Sequence, residues 1–235
     1  MILNDPRKGE VFERYKGYPG RNKDQLQVLV ADGRIPLGIA GIMQRRVEVL
    51  ESNDAKLIAS WTDERIDSGD VCLTHPDGRF KIVSDGYSLF LSKKRFFRGG
   101  APLGLTFEES ISFYEQQKGD EFMRSSLLKG MRKEEVKEHP VWQSLSSHNP
   151  ELLDLYVDAV FGKQHRLPMM GICVPPSKKM SYARFWNIDA FFDGSNAEGN
   201  YVTVPYGNLI GSYRTTTDYI NSILSHPSLK QQKRR

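Results

Sequence analysis

The spacing of apolar and polar positions changes period twice along the chain, and the changes mark out three stretches. In the first, short apolar runs rich in β-branched and aromatic residues recur at 47–51, 56–61, 71–74, 79–84 and 87–92, after an earlier run at 26–31 that Asp32-Gly33 closes. Short runs bounded by turn residues predict strands. Asp85-Gly86 suits a two-residue hairpin turn with positive φ, and Pro76-Asp77-Gly78 suits a type I turn followed by a left-handed glycine. An antiparallel meander over about 47–92 is the expected result.

At Thr106 the period becomes helical. Thr106 and Glu109 have capping-box spacing, and Phe107, Ile111 and Tyr114 then recur on one face. Further helices are predicted at about 121–129, ended by Gly130, at 132–138, and at 140–147, where Pro140 fits a first helical position. The clearest helix follows. Asn149 can cap it, Pro150 opens it, and Leu152/Tyr156/Val160 with Leu153/Val157/Phe161 make a wide apolar stripe up to Gly162. After Pro168 the strand period returns at 169–174, 182–192, 201–204 and 209–213. Thr215 can begin a closing helix that His226-Pro227 stops.

The fold class expected is therefore α+β: a meander at about 47–92, a helical middle section at about 106–162, and a second β section with a closing C-terminal helix. A single domain over 1–226 is expected, with subdivision points near 100–106 and 163–168, followed by a basic tail at 227–235. The 235 residues are enough to bury a sizeable core, and 39% hydrophobic with 26% charged residues places the chain among ordinary globular proteins.

No apolar stretch is long enough for a signal peptide or a membrane span. Cys72 and Cys173 each lie inside an apolar run, which reads as two free thiols without a disulfide and agrees with a cytoplasmic address. The net charge of +4 is local. Lys230, Lys233, Arg234 and Arg235 account for it, and the other 29 basic residues match the 29 acidic ones. Recognition of nucleic acid must therefore come from local segments.

Phosphate-loop, dinucleotide, nucleophile-elbow, paired-cysteine and His-Glu-x-x-His motifs are missing, so the common nucleotide, hydrolase and zinc classes lose weight. Three constellations carry chemistry. The first is Lys93, Lys94, Arg95, Phe96, Phe97 and Arg98, whose cations suit phosphates and whose rings suit unstacked bases. Arg45, Arg46, Lys163, Arg166, Lys178 and Lys179 would extend that surface if folding gathers them. The second is catalytic: His75 beside Asp77 at a hairpin tip, with Arg184 and Asp189 as the polar positions of an aromatic strand that can line a pocket. The third is Asp193, Asn196 and Glu198, oxygen donors of the kind a divalent cation prefers. Asp154 and Asp158, four apart on the strongest helix, could share a cation or face solvent.

Two functions follow. One is a nucleic-acid-associated binding protein acting through 93–98 and the basic tail. The other is a pocket enzyme, or a binder of small ligands or metal, acting through the dispersed His, Arg and Asp residues. No cofactor motif is present beyond the divalent-cation loop, no membrane partner is expected, and a protein partner or a homo-oligomer is compatible with the sequence.

Overall fold

The structure, a computed structural model, describes residues 2–4, 14–91, 105–124, 130–163, 170–176, 179–200 and 207–213. In chain order they form β1 (Tyr15–Gly20), α1 (Asn22–Ala31), β2 (Ile35–Pro36), α2 (Ile39–Leu50), α3 (Ala55–Thr62), β3 (Ile66–Thr74) and β4 (Arg79–Val83). Then come α4 (Phe107–Gln116), β5 (Asp120–Met123), α5 (Lys133–Glu138), α6 (Pro140–Leu145) and α7 (Pro150–Lys163). The chain continues with β6 (Ile172–Cys173), β7 (Tyr182–Ile188), β8 (Ala197–Asn200) and β9 (Gly207–Ser212). Helices and strands are both extensive, as the α+β expectation requires, but their arrangement differs from the one predicted.

All the described strands join one mixed sheet, ordered β1-β9-β3-β7-β8-β6, with β2 on β9 and with β4 between β3 and β5. β1 and β9 pair from Tyr15↔Ser212 to Gly20↔Gly207, so the first and last described strands lie side by side. Central β3 and β7 bury both of their faces. Cys72, Trp186 and Ile188 belong to a core beneath α2, α3, α5, α6 and α7. Val71, Leu73, Ala183 and Phe185 belong to a second core with Leu26 and Leu29 of α1 and Phe113 and Tyr114 of α4. Strand alternation sends neighbours to opposite cores, which is why both faces of β7 read as mixed.

Of the meander, the β3–β4 hairpin holds, with Thr74↔Phe80 to Val71↔Val83 in register. The rest is corrected. Residues 26–31 are helical because Asn22, Leu26 and Leu29 turn inward at helical spacing while Val28 and Val30 face solvent. Each buried leucine there contributes roughly 1.5–3 kcal/mol. Residues 47–50 end α2, whose inward stripe of Ile39, Ile42, Met43, Arg46 and Val49 begins at a Gly38 N-cap. Residues 56–61 lie in α3, capped by Asp54, which accepts the Lys56 and Leu57 N–H groups.

After Asp85, at φ +52, the chain enters a short 3-10 turn over Gly86–Phe90 rather than a hairpin strand. β4 has no edge left for such a strand, since β5 occupies it from Arg79↔Met123 to Ile82↔Asp120. β5 in turn replaces the start of the helix predicted at 121–129. The Thr106 capping box, Pro140 at the start of α6, and Asn149 accepting the Leu152 N–H ahead of α7 all stand as predicted. The strand at 201–204, the closing helix and the basic tail lie outside the described residues.

Two buried polar groups pin the layers together. Asp70 sits in a bulge of β3, where the register to β7 shifts between Asp67 and Val71. Its carboxylate accepts the Ile39 N–H that opens α2 (2.7 Å) and the Asp85 N–H (3.0 Å). A side chain at neighbouring Gly69 would meet the Pro36 carbonyl at 2.9 Å. Arg46 of α2 is fully buried and donates to the carbonyls of Trp61, Glu64 and Asp189 and to the Tyr156 and Ser195 hydroxyls.

Replacing Arg46 by Met strips the Trp61 and Glu64 carbonyls of their side-chain donor and leaves the Tyr156 and Ser195 hydroxyls only bonded to each other and to the Asp189 carbonyl, and a loss of roughly 3 kcal/mol or more is expected in the unfolding free energy from urea denaturation. A loss below about 1 kcal/mol would show that the cage is dispensable. Burial raises the Asp70 carboxyl from 3.8 to about 6, against the pull of the Ile39 and Asp85 N–H groups. A raised folded value means that Asp70 stabilises fully below about pH 4 and loses its contribution as pH rises to about 6. The stability of the wild type relative to Asp70→Asn should therefore fall by roughly 3 kcal/mol between pH 4 and 7. Parallel curves for the two proteins would refute this.

Candidate ligand-binding cleft

The β3–β4 hairpin builds its tip from the residues that its turn requires. The His75 N–H reaches the Arg79 carbonyl (2.8 Å), the Gly78 N–H reaches the His75 carbonyl (3.1 Å), and Gly78 takes the left-handed conformation at φ +98. Asp77 folds back over the turn. One carboxylate oxygen accepts the Arg79 N–H at 2.9 Å and lies 2.6 Å from His75 Nδ1; the other accepts Arg79 Nε at 2.7 Å. Burial works to raise this carboxyl, but the Arg79 backbone and guanidinium, together with the His75 ring, hold it down to about 2.

His75 Nδ1 also lies 3.3 Å from the Asp77 N–H. One nitrogen cannot accept that proton and donate to the carboxylate at once, and the shorter, charge-assisted contact decides for donation. In the neutral ring Nε2 is then the basic nitrogen. It is buried and has no hydrogen-bond partner among the described residues. The ring rests on Tyr114 of α4, centroid to centroid 5.0 Å.

Arg79 is saturated. Besides Asp77 it reaches Glu115 of α4 at 2.9 Å and Glu121 of β5 at 3.4 Å, and it lies over the Tyr114 ring. The tip is thereby bolted to the elements beneath it. Beside it opens a cleft of about 210 Å³ lined by Thr74, His75, Asp77, Arg124, Pro175 and Pro176, among others. That is about seven waters' worth of liquid, below the range of a drug-sized pocket and enough for one small chemical group. Arg124 lines it as well, and its backbone N–H donates to the Gly78 carbonyl (2.9 Å).

The structure brings His75 and Asp77 together and sets Arg184 behind the wall. Arg184 is buried on β7 over Tyr182, and its guanidinium donates to the Pro175 carbonyl at 3.2 Å, fixing the Pro175-Pro176 side of the cleft. Asp189 lies elsewhere. It follows the opposite end of β7, seven residues and roughly 20 Å of strand away from Tyr182. There its carboxyl is raised to about 6 by burial and by Glu198, with Arg65 at 3.7 Å pulling the other way.

The metal-loop residues surround Asp189 but are engaged. Glu198 pairs with Arg65 at 3.1 Å, and the Asn196 amide donates to the Asp193 carbonyl. Among the described residues no group of three His, Cys, Asp or Glu side chains is placed to hold a metal. Asp154 and Asp158 face Lys133 and Lys137 on the α7 surface. Arg45 and Arg46 are withdrawn into the core, which corrects their place in a basic surface. Residues 93–98, Arg166 and Lys178 lie outside the described residues. Cys72 and Cys173 are both free thiols, and burial pushes Cys72 up to about 12. No helix among the described residues is long and apolar enough to cross a membrane.

Sequence reasoning missed Arg124, Arg79 and Tyr114, which carry no local signal because β5 and α4 meet the hairpin only in three dimensions. No family model and no curated protein matches the chain. One solved structure does, from work on the accommodation of massive sequence variation in Nanoarchaeota by the C-type lectin fold. The match has a TM-score of 0.54 and 10% identity, and it covers 84% of this chain and 97% of that one. The likeness is to a C-type lectin fold. At that identity it concerns the fold alone.

Proposed function

We propose that the protein is a recognition module whose cleft takes a small ligand, an anionic group resting on Arg124 and a short apolar body on Val174, Pro175 and Pro176. One observation carries the reading. Of the two arginines lining the cleft, Arg79 is spent on three carboxylates, whereas exposed Arg124 has no side-chain partner among the described residues. A cation held by its backbone at the rim of a cleft is a ready hydrogen-bonding handle for carboxylate or phosphate. The likeness to a protein whose fold is described as accommodating massive sequence variation agrees with a scaffold that keeps its core while its surface recognises.

Calorimetric titration with acetate, benzoate and inorganic phosphate tests this. Saturable binding is expected from at least one of them, weakened about tenfold or more by Arg124→Ala. Equal binding by the variant, or no saturation with any probe, would sink the reading.

A nucleic-acid surface is the second reading, favoured by the four cations and two rings at Lys93, Lys94, Arg95, Phe96, Phe97 and Arg98 together with the basic tail. Fluorescence anisotropy of labelled single-stranded oligonucleotides should then show affinity that falls steeply with salt. Replacing Phe96 and Phe97 by Ala should lower it by on the order of 1–3 kcal/mol per stacked base. Affinity insensitive to salt, or to both substitutions, would remove this reading.

A further inference from the structure

Asp77 and Arg124 flank one glycine of the cleft lining. Asp77 precedes Gly78 in the chain, and Arg124 is bound across to it, its N–H donating to the Gly78 carbonyl at 2.9 Å. Both residues line the cleft and both reach solvent: the Asp77 side chain keeps 46% of its surface open, and Arg124 is exposed. The two charges do not pair with each other. Among the described residues the ion partners of Asp77 are His75 and Arg79, and Arg124 has none.

A carboxylate offers about four lone-pair positions. Three of those on Asp77 are filled: Oδ1 by the Arg79 N–H and by His75 Nδ1, and Oδ2 by Arg79 Nε. One position on Oδ2 is left for a further donor. Against the effect of burial, the Arg79 backbone and guanidinium and the His75 ring hold this carboxyl down to about 2, so it is ionised at neutral pH. The charge around it is unbalanced in the same direction. Asp77, Glu115 and Glu121 share two cations, Arg79 and Lys81, which leaves the hairpin side of the cleft with one negative charge in excess. Arg124 sets one positive charge beside it. A simple anion satisfies Arg124 and leaves that excess unanswered at close range, whereas a ligand with an ammonium next to its carboxylate answers both.

We propose that the cleft takes a free α-amino acid with a small aliphatic side chain, its carboxylate on Arg124, its ammonium on Asp77 Oδ2 and its side chain on Val174, Pro175 and Pro176. The proposal rests on the cleft reading, from which it takes Arg124 and the apolar wall. An α-amino acid carries both charges on one carbon, and the single glycine between the two residues keeps their side chains near enough to meet them. The wall is fixed from behind, since Arg184 donates to the Pro175 carbonyl at 3.2 Å. A volume of about 210 Å³ leaves room for roughly seven non-hydrogen atoms. That admits alanine or valine and shuts out an aromatic amino acid.

The test is calorimetric titration of the full chain with L-alanine against propionate and L-valine against 3-methylbutanoate, each acid being its amino acid without the ammonium. L-Valine amide, which lacks the carboxylate, is the fifth ligand. At least one amino acid is expected to bind about tenfold or more tightly than its acid, and L-valine amide at least tenfold more weakly than L-valine. Asp77→Asn keeps an acceptor for the Arg79 N–H; it should bring the amino acids down to the level of the acids and leave the acids unchanged. Amino acids that bind no tighter than their acids, or an amide that matches L-valine, overturn the proposal on the wild type alone, without relying on any variant to fold. A gain from the ammonium that survives Asp77→Asn overturns it as well. Acids that bind through Arg124 with no such gain leave the anion handle standing and remove only the amino acid; no binding by any of the five ligands removes the cleft reading with it.

Discussion

A guanidinium with no carboxylate partner among the described residues holds the helical layer to the sheet. Arg46 is fully buried in α2, and its acceptors are the carbonyls of Trp61, Glu64 and Asp189 and the hydroxyls of Tyr156 and Ser195. A lone buried cation is costly unless its protons find acceptors, and here five neutral oxygens from separate parts of the chain surround it, one on Nε, three on Nη1 and one on Nη2. The requirement is mutual. The end of α3, the turn into β3, the middle of α7 and the segment after β7 must all arrive together for the charge to be tolerated. The Phe191 ring, 5.4 Å from the guanidinium, closes the remaining side. Tyr156 and Ser195 also touch one another, so α7 and the 189–195 segment are joined even apart from Arg46.

Asp70 works on the same principle with the opposite charge. Its carboxylate replaces the capping side chain that Gly38 lacks at the start of α2, and the same group holds the turn at Asp85. The close fit leaves no space for another cap: a side chain at position 38 would lie 3.0 Å from the Asp70 carboxylate. α2 is therefore fixed at its first turn by an anion and farther along by a cation, both supplied by or received from residues distant in sequence. Helix stability here comes from tertiary placement more than from local propensity.

That division explains what could be read in the sequence. α7 was legible because its cap, first-turn proline and apolar stripe are all local, and so was the β3–β4 hairpin with its Pro76-Asp77-Gly78 tip. α1 and α3 were not, since runs of six residues containing Val or Ile fit either period until something decides which face is buried. The decision lies in the sheet below α1, where Leu26 and Leu29 meet Tyr18 and Leu209 in one core. The 3-10 turn at Gly86–Phe90 was hidden for the converse reason. Asp85-Gly86 correctly marks a left-handed turn, but β5, almost forty residues later in sequence, had taken the strand edge. Arg46 looked like surface charge because nothing within its helix shows five distant acceptors converging on it.

The cleft follows the same logic, and the parts that could be foreseen are those a turn brings together. His75 and Asp77 are two residues apart, so a hairpin tip suffices to join them. Arg184 was found for a sound reason, a polar group on an aromatic strand, but its position on β7 directs it to the Pro175 carbonyl rather than to the cleft interior. Asp189 follows that strand and ends near the Arg46 cage, because a seven-residue strand separates its two ends by roughly 20 Å. The cleft thus sits at one end of β7 and the Arg46 cage at the other. A substitution in the hairpin, in Arg124 or in the Pro175 wall alters what the cleft presents while leaving the Arg46 cage, and the packing that depends on it, untouched.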